Sequence, residues 1–188
     1  MNPGKSGFTE DEMDGLRIIR PDQRYLNDIA AYRMEFILTG DTLEGCGSLE
    51  TMEDPDEWLE DVKAKADEKT VPEGWVVSTQ FICVRESDDR IVGMIDIRHS
   101  FNDFLRIYGG NIGYSVRPCE RRKGYAKWML SQALIYCRNI GMDKVLVNCL
   151  EKNGASRRTI LANGGKYEST IYVPGENVNL ERYWIESG

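Results

Sequence analysis

Apolar positions along this chain change their spacing several times, and each change marks an element. Leu16-Arg17-Ile18-Ile19-Arg20 reads as a short first strand closed by Pro21. Leu26, Ile29, Ala30, Phe36 and Ile37 then recur at helical spacing, which predicts a helix from about Gln23 to Leu38, ended by Gly40. Residues 40–53 are a polar loop. Asp54 as N-cap and Pro55 at the first helical position open a second helix running to Glu68, with Trp58, Leu59, Val62 and Ala66 on its buried face. Strands over Val76–Val84 and Arg90–Arg98 flank the turn residues Glu86-Ser87-Asp88-Asp89. Phe101–Ile107 reads as a short helix or a lid. Gly109-Gly110 leads into a strand from Asn111 to Val116, which Pro118 ends. Ala126, Met129, Leu130, Ala133, Leu134 and Cys137 fall on one stripe of a helix spanning Gly124 to Asn139. A compact strand, Lys144–Leu150, and a short helix, Asn153–Ala162, follow. Two last strands, Lys166–Val173 and Leu180–Ile185, are joined through Gly175-Glu176-Asn177.

This order predicts an α+β fold in which a mixed sheet is covered by helices. No repeat or interdomain linker interrupts it, so residues 15–188 form one expected domain and residues 1–14 an expected mobile tail. Charge narrows the partners. The net charge of −7 and pI near 4.9 make the chain a poor general binder of nucleic acid or anionic membrane. No apolar run approaches the roughly 20 residues needed to cross a bilayer. The first residues lack a signal peptide's apolar core, so a cytoplasmic location is expected. The five cysteines contain no CxxC pair, and reduced thiols are the default. Cys83, Cys137 and Cys149 lie in apolar patterns and read as core; Cys119 lies in a loop. With His99 as the single histidine, no metal site is expected.

The strongest chemical signal is Arg121-Arg122-Lys123-Gly124-Tyr125-Ala126, between a strand and a periodic helix. Cationic side chains and a glycine at a helix N-terminus suit a phosphate ligand. Free backbone N–H groups and the helix dipole favour negative charge, and glycine permits close approach. One strand later, Asn153-Gly154-Ala155-Ser156 opens another helix.

Together these elements resemble the GNAT acyltransferase superfamily, whose members use acetyl-CoA. Its loop, Gln/Arg-x-x-Gly-x-Gly/Ala, stands here as Arg121-x-x-Gly124-x-Ala126. Its second signature, an Asn, a short helix and a Gly-aromatic turn, is matched by Asn153 and Ser156 and approximated by Gly164-Gly165-Lys166-Tyr167. Ile97-Arg98-His99, Gly113 to Pro118 and Arg182-Tyr183-Trp184-Ile185 resemble a bacterial branch of predicted acetyltransferases with no assigned substrate. The resemblance implies a central, mostly antiparallel, twisted sheet of about six or seven strands flanked by about four helices. It implies acetyl-CoA as co-substrate, no metal, and direct transfer of acetyl to a primary amine on a small molecule or peptide. A homodimer is a further arrangement that the family suggests.

By resemblance, Arg121, Arg122, Lys123, Gly124, Tyr125 and Ala126 wrap the pyrophosphate, with the Arg121 and Arg122 side chains free to pair with it. Tyr114, Ser115 and Val116 bond the pantetheine arm, and Asn148 stands on the opposite edge of the cleft. A backbone N–H near Val116 faces the thioester oxygen. The Tyr that many members carry on the helix after Asn153 is replaced here by Ile160. Ser156 is the nearest donor to the leaving thiolate, and its other reading is a helix cap. The Glu that many members carry at the start of the preceding strand is replaced by Asn111. His99, Asp96 or a water chain is left as general base, and Glu35 or Glu44 could line the acceptor side by position. Without those two residues a second function stays open: a CoA-binding sensor or structural module that turns nothing over.

Overall fold

The structure, a computed structural model, describes residues 15–188; the expected tail at 1–14 lies outside the described residues. Seven strands and four α-helices follow in chain order: β1 (Leu16–Ile19), α1 (Leu26–Thr39), α2 (Pro55–Lys65), β2 (Ser78–Arg85), β3 (Arg90–Arg98), β4 (Ile112–Val116), α3 (Tyr125–Asn139), β5 (Lys144–Leu150), α4 (Gly154–Ala162), β6 (Lys166–Val173) and β7 (Val178–Glu186).

Local chemistry explains most of the boundaries. Asp54 accepts a bond from the Asp56 N–H and Pro55 occupies the first turn, so α2 starts where the sequence predicts. Gly40 ends α1 in the left-handed region, at φ 68°. A 3-10 turn over Gln23–Tyr25, capped by Asp22, precedes α1. The segment read as a helix or lid contains a short π-helical turn at Leu105–Gly109.

The expected sheet is present as two antiparallel parts. One has the order β1-β2-β3-β4, the other β5-β7-β6. Alternation along β2 and β3 sends side chains to two cores. Cys83, Ile95 and Ile97 pack with Met129, Leu130 and Cys137 of α3 and with Ile160 of α4. Ile82, Val84 and Met94 pack on the other face against Ile29, Tyr32 and Phe36 of α1 and Trp58 of α2. Cys83, Cys137 and Cys149 are buried as the pattern implied, while Cys119 is exposed. No helix among the described residues is long and apolar enough to cross a membrane.

Candidate active site

Asn111 joins the two parts of the sheet. Asn111, just before β4, donates its backbone N–H to the Leu146 carbonyl (2.7 Å), and its Oδ1 accepts the Leu146 N–H (2.9 Å). Its Nδ2 donates to the Arg98 carbonyl (3.1 Å), so one buried side chain ties β3, β4 and β5 together. Beyond this point β4 and β5 share no ladder.

The ladder on the other edge of β4 shows what faces that gap. Arg117 N–H bonds the Val92 carbonyl, and the Asn111 carbonyl accepts from Arg98 N–H. Residues of an antiparallel pair alternate in direction, so the odd-numbered residues of β4 bond β3. The backbone N–H and C=O groups of Tyr114 and Val116 therefore turn away from β3, into the gap. On β5 the same alternation, fixed by Leu146, turns the backbone of Asn148 toward β4. The side-chain Oδ1 of Asn148 is buried with no partner among the described residues, although its Nδ2 donates to the Tyr108 carbonyl (2.8 Å). A buried, unpaired acceptor costs roughly 1–3 kcal/mol. An N–H donor from a ligand would satisfy it.

At the open end of the gap, after Val116, lies the basic loop. Arg122 (φ 66°) and Gly124 (φ 84°) are both left-handed. The N–H groups of Arg122, Lys123 and Gly124 have no acceptor among the described residues. Left-handed turns of this kind converge N–H groups into an anion-binding concavity, here at the start of α3. The side chains divide the work differently from the sequence reading. Arg121 is engaged: its Nη1 pairs with Asp41 (2.8 Å) and its Nε donates to the Val116 carbonyl (3.2 Å). Lys123 pairs with buried Glu120 (2.7 Å). Arg122 is exposed and has no partner among the described residues, which makes it the guanidinium available to an anion. Tyr125 is buried against the α3 core, and Ala126 follows it in the first helical turn.

Tyr114 reaches across to α4, where its hydroxyl lies 2.8 Å from Ser156 Oγ. Burial pushes the Tyr114 phenol up to about 12, so it stays protonated and able to donate. The helix cap is Asn153, whose Oδ1 accepts the Ser156 N–H (3.0 Å), so the Ser156 hydroxyl does not serve as the cap.

On the opposite face of β4, the loop between α1 and α2 sits directly on the strand. Gly45 is left-handed (φ 69°), and a Cβ there would lie 2.2 Å from the Gly113 carbonyl oxygen. Gln80 donates to the Gly45 carbonyl (2.9 Å) and Trp58 Nε1 to the Cys46 carbonyl (2.8 Å), which holds the loop down. Glu44 is therefore carried beside Gly113. It is open to solvent at this rim, yet crowded by protein. That desolvation raises its pKa; Arg98 opposes the rise, and Glu176 and Glu50 add to it.

Other expected residues fall elsewhere. His99 lies past Ile97, which pairs with Ile112 at the joined end of β4. That is about 20 Å along the strand from Val116. Its Nε2 is 2.9 Å from Thr79 Oγ1, which also lies 3.0 Å from the Tyr136 hydroxyl on α3; burial lowers its pKa. The candidate base is thus a member of a hydrogen-bonded group away from the gap. Ser115 turns its hydroxyl into the α1 core, 3.1 Å from Tyr32 Oη and 3.2 Å from Cys46 Sγ, leaving only its backbone near the site. Glu35 is spent on Arg117 (2.7 Å) and Arg90 (2.9 Å) rather than on an acceptor. Asp96 pairs with Arg98 (2.7 Å) on the α2 side of the sheet. Among the described residues no group of three or more His, Cys, Asp or Glu could hold a metal ion. The joining role of Asn111 and the Tyr114–Ser156 contact escaped the sequence reading. An Asn at the start of a strand signals a missing carboxylate, not a rivet.

Comparison with known proteins bears on the family and the fold. Residues 18–166 match the profile of the acetyltransferase (GNAT) domain. A ribosomal-protein-S5-alanine acetyltransferase from Vibrio fischeri superposes with a TM-score of 0.69 at 12% identity, over 93% of this chain and 94% of that one. RimJ of Mycobacterium smegmatis, solved in complex with CoA-disulfide, gives 0.67 at 17%, over 91% and 81%. A chimera of Vibrio cholerae spermidine N-acetyltransferase SpeG and hSSAT gives 0.62 at 14%, over 93% and 96%. At these identities the likeness is one of fold. No functionally curated protein matches the chain by sequence.

Proposed function

The chain belongs to the acetyltransferase (GNAT) domain family, and from that membership we propose that it moves acetyl from acetyl-CoA to a primary amine by direct transfer. The observation that carries this reading is the gap between β4 and β5. Two backbone edges that share no ladder face each other there, the Val116 carbonyl being held by Arg121, and a loop of N–H groups with no acceptor among the described residues stands at the open end. An extended ligand with amides along its length can bond both edges as an added strand would. The pantetheine arm is such a ligand, and Asn148 Oδ1 is an acceptor awaiting a donor. Arg122 and the N–H groups of Arg122, Lys123 and Gly124 would hold the pyrophosphate. Bound there, the cofactor supplies an activated acyl thioester.

The protein's own groups then have separable tasks. The Val116 N–H, turned into the gap, stabilises negative charge developing on the acyl oxygen. The Tyr114 hydroxyl, oriented by Ser156, donates toward the departing sulfur. Glu44, with its raised pKa, takes the proton that the attacking ammonium must lose, directly or through one water. Glu44 thus takes the place sought for His99.

Thermal stabilisation by acetyl-CoA, with CoA, ATP and NAD in parallel, tests the reading. A ligand specific for the folded state, present at about 100 times its Kd, adds about 2.7 kcal/mol and raises Tm by a few degrees. Stabilisation by acetyl-CoA and CoA alone supports the assignment. Equal stabilisation by ATP would reassign the loop to nucleotides. Binding of acetyl-CoA without acetylation of any amine would leave the silent CoA-binding module as the better description.

A further inference from the structure

A second cavity lies on the face of β2 and β3 that α2 covers, with a volume of about 440 Å³. Drug-sized ligands occupy pockets of about 300–1,000 Å³ lined mainly by apolar and aromatic groups, with a few polar ones that fix orientation. This cavity has that make-up. Trp75, Phe104, Leu105 and Val62 wall it, and Asp96 and Arg98 of β3 stand on its strand side. Trp75 and Phe104 are 57% and 62% exposed, large apolar surfaces left open to water in a concave place.

The rim is rigid. Lys65 Nζ bonds Asp61 (2.6 Å) and Ser48 Oγ (3.0 Å) and lies 3.9 Å from the centre of the Trp75 ring. One face of the indole is thereby fixed against α2. The ionic lining groups cancel, Lys65 with Asp61 and Arg98 with Asp96. A polycation would find no excess negative charge inside, whereas a neutral apolar body would displace water from the aromatic walls.

Its strand side adjoins β4 at Gly113. Asp96 pairs in register with Gly113 of β4, and a Cβ on Gly113 would lie 3.2 Å from Arg98 Nη1. Gly113 precedes Tyr114, whose backbone faces the gap, and Glu44 is held at the same place by Gly45.

We propose that this cavity holds the apolar body of the acceptor: a primary amine on a short tether from an aromatic or branched apolar group, with the amine directed past Arg98 toward Gly113 and Glu44. The proposal rests on the acetyltransferase reading for its reaction but not for its binding. The probes are 2-phenylethylamine, ethylamine and spermidine, together with tetrapeptides beginning with Phe or Gly, which separate a free amine from a peptide terminus of the same chemistry. The expected result is a kcat/KM at least about tenfold higher for 2-phenylethylamine than for ethylamine or spermidine, or for the Phe tetrapeptide than for the Gly one. Even one methylene in an apolar pocket is worth about tenfold. Trp75→Ala and Phe104→Ala, both at exposed positions, should each raise KM about tenfold with kcat within about twofold and the acetyl-CoA-induced Tm shift intact.

No preference for the aromatic probes, or a preference that both variants leave unchanged, overturns the proposal. If acetyl-CoA stabilises the protein but no amine is turned over, equilibrium dialysis with radiolabelled 2-phenylethylamine decides. Saturable binding lost in Trp75→Ala supports the pocket, and its absence overturns it. If acetyl-CoA itself has no effect, the acetyltransferase reading fails, and the dialysis still judges the cavity.

Discussion

Arg122 is the residue on which anion binding is easiest to isolate. Its side chain has no partner among the described residues, so Arg122→Glu should leave Tm unchanged and weaken acetyl-CoA about tenfold or more by calorimetric titration, since a hydrogen bond to a charged group is worth about 1.5–3 kcal/mol. Gly124 is a poorer probe, because its left-handed backbone strains any replacement. Tyr114→Phe and Ser156→Ala address the departing sulfur. Each should lower kcat by about tenfold or more with little change in acetyl-CoA affinity. Their effects should fall short of adding in a double-mutant cycle, because one hydroxyl orients the other. The loop and the helix opened by Asn153 were legible in the sequence, since both depend on neighbours along the chain. Tyr114–Ser156 was not. That contact joins residues 42 positions apart, and only the pairing of β3 with β4 aims the phenol at α4.

Among elements, the seam between α1 and the end of β4 is the most electrostatic. Arg117 is buried, pairs with Asp28 (2.5 Å) and Glu35 (2.7 Å), and donates from Nε to the Ile91 carbonyl (2.8 Å). Asp28 also accepts the Ile91 N–H (2.6 Å), so α1 is bonded to β3 as well. Arg117→Met would leave Glu35 with Arg90 alone and Asp28 with only the Ile91 N–H, and urea unfolding should show a loss of about 1–3 kcal/mol. Burial alone would raise the pKa of Glu35, but Arg117, Cys119 and Arg90 outweigh it and the net shift is downward. A carboxylate with a lowered folded pKa stabilises fully above the ordinary glutamate range and loses that contribution as pH falls through and below it. Glu35→Gln should therefore flatten the acid limb of a Tm-against-pH curve while lowering Tm near neutrality. From sequence, Arg117 fell between the strand end at Val116 and Pro118, and Glu35 read as a carboxylate that could line the acceptor side. Element boundaries are local and were legible. Which charges meet between elements depends on how α1 crosses the sheet, and no spacing along the chain states that.

At the scale of the whole molecule, the strands of the two sheet parts are bonded to each other, among the described residues, at Asn111 and Leu146, and Asn148 and Arg182 add bonds to the turn that leads into β4. The helical covers of α3 and α4 hold the parts together elsewhere. Such an arrangement predicts uneven protection. Without ligand, amides of β5, β6 and β7 should exchange with solvent faster than those of β2 and β3, and acetyl-CoA should slow the first group more than the second. Uniform slowing across both groups would mean that the sheet behaves as a single body. Asn111→Ala removes the side-chain half of the join and should widen the difference.

The sparse joining of the two sheet parts also bears on how long the protein lasts. A chain whose C-terminal third opens readily is cut by proteases in proportion to the open population, and a ligand bridging β4 and β5 closes it. Supply of acetyl-CoA would then set abundance as well as turnover: plentiful ligand shields the chain, while scarcity hastens its removal before a single amine is modified.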